Sequence, residues 1–223
     1  MCYSVESSIK TTLISFISIV YLLTSSIPHF QWLGITLIGW CGMQFDELLL
    51  WLTNPRKGCT KWNKIITMTL IPLTLLSQVL CSLWGSLYVY PWKKMSNLRK
   101  NIMIGLTVIC ILIVLFIHFY KPDKICTLVS NQGHLKWLTK KSVSNNALFP
   151  AIWACLILLP FLLFWRKSFL IILLLCILPT FGYQYGSKYT DTQGSIWCYY
   201  TSYTGIIACI ALFLQKNNIY SII

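Results

Sequence analysis

The stretch from His29 to Leu52, HFQWLGITLIGWCGMQFDELLLWL, constrains this chain more than any other. It is apolar over enough residues to cross a bilayer, which takes about 20 helical residues. Yet it carries Gln44, Asp46 and Glu47 near its far end. Carboxylates are costly in lipid and persist there only when paired or facing a polar interior, so they mark a candidate functional site.

Comparable apolar segments recur at about 5–24, 62–88, 101–120, 147–165, 168–185 and 192–214. Only 10% of residues are charged and 57% are hydrophobic, whereas a soluble domain carries about 25% charged residues. The sequence therefore predicts an all-α membrane protein, a seven-transmembrane-helix bundle forming one integral domain over residues 1–223, with short loops and no soluble domain. The net charge of +13 lies in short Lys and Arg runs between apolar segments. Snorkelling and lipid headgroups account for it there, so the lipid bilayer is an expected partner and nucleic acid is not. A signal peptide is the rival reading of the first segment, with Leu13–Leu23 as its apolar region, but no basic stretch precedes Glu6.

Breakers refine the layout. Pro72 is expected to kink the third span and leave a backbone carbonyl free. Between spans four and five, CTLV and HLKWL flank Ser130-Asn131-Gln132-Gly133, and alternation around such a turn predicts a small β-hairpin in that loop.

On a helix, Trp40, Gln44, Glu47 and Trp51 share one face, while Asp46 points over Gly39 and Gly42, where a neighbouring helix can come close. At 1.5 Å rise per residue, Glu47 lies roughly 8 Å below the N-terminal-side surface and Lys10 roughly 9 Å below it on the preceding span. Equal depth predicts an ion pair of Lys10 with Glu47, or with Asp46. Span three adds a polar stripe at Asn63, Thr67, Thr74, Gln78 and Cys81, and span seven adds Trp197, Thr201 and Thr204. With Glu47 these residues can line a site for an ion or small solute, open to the N-terminal side. The plainer reading makes the hydroxyls interhelical hydrogen bonds worth ~0.6 kcal/mol each.

The two sidedness signals conflict. Most of the 18 Lys and Arg fall on the N-terminal side of a seven-span layout, which by the positive-inside rule is cytosolic. But Cys2, Cys59, Cys126 and Cys198 also fall at loops or span ends on that side, and disulfides belong to oxidising compartments. The cysteines favour an exoplasmic N-terminus and a cytoplasmic C-terminus. Four cysteines allow three connectivities. Cys2–Cys198 with Cys59–Cys126 is the preferred set, and four free thiols the alternative.

Several short motifs occur in a fixed order: Met1-Cys2-Tyr3-Ser4, then Met43-Gln44-x-x-Glu47, Cys59 followed by Asn63, Cys126 followed by His134-Leu135-x-Trp137, and Ile196-Trp197-Cys198. The series resembles an uncharacterised family of multispan membrane proteins from bacteria and large DNA viruses, and covers most of the chain. The resemblance implies seven spans and an outer N-terminus. Bacterial members carry Glu and Gln at the places of Gln44 and Glu47, in reversed order, and Asp46 is outside the pattern. The family has no assigned activity, so the resemblance implies architecture and candidate positions, His134 and Trp137 among them, and no chemistry.

No cofactor is implied. His29 stands at the opposite surface from His118 and His134, the spacing matches no metal motif, and no G-x-S-x-G or phosphate loop is present. The sequence thus favours a small transporter, channel or sensor. The alternative is a structural component of an envelope or organelle membrane, and an intramembrane metal-dependent hydrolase ranks last. It leaves the solute and the oligomeric state open.

Overall fold

The computed structural model describes residues 4–119, 126–131, 133–137, 148–164 and 193–217. Helix α1, Val5–Leu23, begins at Ser4, whose hydroxyl accepts the Ser7 N–H at 3.2 Å. Its buried face is Ser8, Thr11, Ser15, Ser18 and Leu22, while Leu13, Phe16, Ile17 and Val20 point outward. That inversion suits a hydrocarbon solvent, where small polar residues mediate helix contact.

Helix α2, Pro28–Leu52, starts on a proline whose missing N–H costs nothing in the first turn. It is the centre of the bundle and packs against α1 and against α3, Lys61–Tyr88. The α2–α3 contact is very close. A Cβ added at Gly39 would strike the Ser77 carbonyl, and one at Gly85 would sit 2.7 Å from Trp32 Cδ1. Trp32 fills the core there: its Nε1–H donates to Ser82 O at 2.6 Å and its ring stacks on Phe161 at 4.8 Å.

Helix α3 is not uniform. An α-helical turn, Lys61–Ile65, leads into π-helix at Ile66–Leu70, then α-helix at Ile71–Gly85 and a 3-10 turn at Ser86–Tyr88. Pro72 can donate no hydrogen bond, and its ring crowds the carbonyl four residues back. The expected break takes the form of a π-turn, which widens the ladder at that carbonyl.

Helix α4, Asn97–Phe119, starts earlier than the apolar run because Ser96 Oγ accepts the Arg99 N–H at 3.4 Å. Two strands, β1 (Leu128–Val129) and β2 (Leu135–Lys136), pair antiparallel, with Leu128 opposite Lys136. Gly133 supplies the positive φ of 81° that the connecting turn requires. Helix α5, Leu148–Phe164, contains Pro160. Helices α6, Gln193–Ser202, and α7, Thr204–Lys216, follow one another across Tyr203.

Five described helices are long and apolar enough to cross a membrane: Val5–Leu23, Pro28–Leu52, Lys61–Tyr88, Asn97–Phe116 and Ser195–Lys216. They make a mostly helical bundle of membrane type with one small sheet. In the fifth expected span the described apolar helix, Cys155–Phe164, is shorter than that, and the expected span at 168–185 lies outside the described residues.

Candidate functional site

The far half of α2 places three polar side chains inside the bundle. Gln44 and Glu47 are 0% exposed and Asp46 is 3% exposed. Gln44 Oε1 accepts the Thr11 hydroxyl of α1 at 2.8 Å. Asp46 lies on the adjacent face, next to Thr74 of α3, which Gly42 lets come near: a Cβ on Gly42 would be 3.1 Å from Thr74 Cγ2. Asp46 Oδ2, Trp40 Nε1 and Trp51 Nε1 are buried without a hydrogen-bond partner among the described residues.

The expected pair of Lys10 with Glu47 or Asp46 does not form. Lys10 Nζ instead sits 2.7 Å from Glu6 Oε1, with side chains 68% and 77% exposed. Depth was matched but azimuth was not. At 100° per residue, position 10 lies well off the buried stripe of Ser8, Thr11, Ser15 and Ser18. Lys10 therefore belongs to the surface, and α1 offers the interior a hydroxyl, not an ammonium.

Asn63 and Thr67 are fully buried, but they hold the loop rather than face Glu47. Asn63 Nδ2 donates to Thr127 O at 2.9 Å, and Asn63 Oδ1 accepts the Thr127 N–H at 2.9 Å. The Thr67 and Thr127 hydroxyls lie 2.9 Å apart. Beside this clamp a disulfide joins Cys59 to Cys126, the second of the two expected pairings. The first is not formed: Cys198 is a free, buried thiol, and Cys2 lies outside the described residues. Helix α6 begins at Gln193, where the span was expected, but it turns Cys198 into the bundle, where it packs with Met43, Leu50 and Trp51 of α2. Trp197 is half-buried, and the Thr201 hydroxyl donates to Trp197 O at 2.8 Å, bonding back along its own helix.

The tethered loop closes this end of the bundle. Leu135 is buried in the cluster of Leu50, Trp51, Ile66 and Cys198, and Val129 and Trp137 pack on it. His134 is buried too, and burial holds its imidazole below the usual value. The expected motif pair, His134 and Trp137, thus belongs to a cap over the half of α2 that carries Gln44, Asp46 and Glu47.

Two parts of the arrangement were not anticipated from the residues. Thr127, the partner of Asn63 and Thr67, had no signal beyond following Cys126. The hydroxyl stripe of α1 had one: Ser8, Thr11, Ser15 and Ser18 recur at helical spacing. Chemically, the enclosed Asp46 carboxyl can take up or release a proton, and the Trp40 and Trp51 indole N–H groups on the neighbouring face can only donate hydrogen bonds. Among the described residues, no three His, Cys, Asp or Glu side chains are grouped to hold a metal ion. Comparison with family models, with curated proteins and with solved structures finds no match. The family reading therefore rests on the motif series in the sequence.

Proposed function

We propose that this chain is a small membrane transporter, channel or sensor whose polar site is the Gln44–Asp46–Glu47 segment, within a seven-span bundle. One observation carries the reading: two carboxyl side chains lie enclosed in the central apolar helix of the bundle. Intramembrane acids of this kind commonly mark ion and proton pathways. The π-turn of α3 supports it, since such turns concentrate at functional sites. The Cys59–Cys126 disulfide supports an exoplasmic face for this end and for the N-terminus, because disulfides persist in oxidising compartments. On that placement the site is in the outer half of the membrane.

The test is ion and proton flux into liposomes holding the purified protein. Asp46→Asn and Glu47→Gln are each expected to lower flux at least about ten-fold, the factor that 1.4 kcal/mol provides. Lys10→Met should leave it unchanged. Flux that persists in the doubly neutralised protein would defeat the proposal. A structural role is the second reading, favoured by Gln44 Oε1 being occupied by Thr11. It predicts that the same substitutions lower melting temperature and that the wild-type protein carries no flux.

A further inference from the structure

Away from the polar site, an open groove of about 610 Å³ runs between the end of α2 and the start of α3. Leu49 and Leu52 form one wall, and Trp62, Ile65 and Leu70 the other. The groove opens sideways onto the outer apolar surface, where Leu52 is 63% and Trp62 68% exposed. From Lys61 to Leu70 the helix rises roughly 13 Å, close to the ~15 Å of hydrocarbon in one leaflet, half of a ~30 Å core.

The loop and first helical turn that enter the groove at Thr53 and Thr60 are strongly basic. Arg56, Lys57, Lys61 and Lys64 are all exposed, and no Asp or Glu occurs between Thr53 and Leu70. None of the four makes an ion pair among the described residues. Arg56 is held over the Trp51 ring at 5.8 Å. Lys61 is four residues before Ile65 on the same helical face, which puts it at the mouth of the groove. Thr60 lines that mouth, and its oxygen accepts the Asn63 N–H at 3.2 Å, leaving its own O–H to donate.

An apolar slot one leaflet deep, with cations near one end that pair with no described acid, complements an amphiphile with an anionic head. We propose that this groove is a binding site for an anionic phospholipid, one acyl chain against Leu49, Ile65 and Leu70 and the phosphate on Lys61 and its basic neighbours. The inference needs only that the bundle is in a membrane, and stands apart from the flux proposal.

The test is lipid retention by the full-length protein in detergent, measured by native mass spectrometry with phosphatidylglycerol and phosphatidylcholine of identical chains. The wild-type protein should retain phosphatidylglycerol preferentially. Each of Lys57→Gln, Lys61→Gln and Lys64→Gln should cut that preference, by roughly five-fold per cation removed. The triple Lys→Arg protein should keep it, which separates charge from misfolding. Filling the slot with Leu52→Trp and Thr69→Trp should lower retention of both lipids. Equal retention of the two lipids by wild type, or a preference that survives the triple Lys→Gln change, would overturn the proposal. So would phosphatidylglycerol binding that ignores the filled slot, or glycerol phosphate binding as tightly as the lipid.

Discussion

Both halves of α2 touch α1 and α3, but they are built on opposite terms. In the half from Trp32 to Gly39 the polar groups are satisfied: the Trp32 indole donates to Ser82 O and the Thr36 hydroxyl to Trp32 O. The helix there lies almost backbone to backbone with α3. In the half from Trp40 to Trp51, indole N–H groups and an Asp46 oxygen are buried without partners among the described residues, beneath a loop tied down from outside. Buried polar groups without partners cost about 1–3 kcal/mol each. A chain breaks the packing rules at few places, and those are where function is expected. The contrast puts the close, satisfied packing in the first half and the unsatisfied polar groups in the second.

The largest effect should come from closing the space in the stable half. Gly39→Ala drives a methyl into the Ser77 carbonyl, which cannot yield without parting the helices. Overpacking of this kind typically costs about 1–3 kcal/mol, and a backbone neighbour puts Gly39 at the top of that range. Gly42→Ala meets only the Thr74 side chain, its methyl at 3.1 Å and its hydroxyl at 3.9 Å, and should cost well under half as much. Thermal melts of the two variants in one detergent compare the halves directly. Equal losses would show that both are packed alike and would break the distinction.

The second effect is local. Asn63→Ala removes two hydrogen bonds to Thr127, at a cost of about 1–3 kcal/mol if the buried loop groups find no substitute. The loss should fall on the cap rather than on the bundle. It is expected to speed reduction of the Cys59–Cys126 disulfide, followed by thiol alkylation, while the main melting transition moves less than for Gly39→Ala. If the transition drops as far, the cap and the core form one cooperative unit.

These particulars show what was legible in the chain. Apolar length found the described crossings, because hydropathy over about 20 residues is a strong and local signal. The close approach at Gly39 and Gly42 could be read from spacing on one helix. The Lys10–Glu47 pairing could not. Depth along a helix follows from counting, but rotation about its axis is set by neighbours, and the outward turn of Lys10 follows from the hydroxyl stripe that α1 buries. The expected Cys59–Cys126 bond formed, and both cysteines lie outside the helices. Cys198 was misplaced for the same reason as Lys10: the start of α6 at Gln193 matches the expected span, but the rotation of that helix buries Cys198 among Met43, Leu50 and Trp51. Asn63 and Thr67 were read as a polar stripe, but their partner, Thr127, is 64 and 60 positions away in a polar loop and has no pattern of its own.

The smallest effect sharpens the contrast from the cap side. Among the described residues His134 is the titratable side chain that the cap buries, at 5% exposure, and burial lowers its pKa. The unfolded chain then binds more protons than the folded one between the lowered value and the ordinary ~6.5. Stability from this residue is complete above about pH 6.5 and is lost as the pH falls through that window. The slope from one group is at most about 1.4 kcal/mol per pH unit, and a two-strand cap transmits only part of it to the helices. Melting temperatures of the wild-type protein should therefore decline from pH 7 to pH 5, and His134→Gln should flatten the decline. A variant that keeps the wild-type slope would move the titration out of the cap and towards the enclosed carboxyls of α2. The polar half would then depend on pH in its own right.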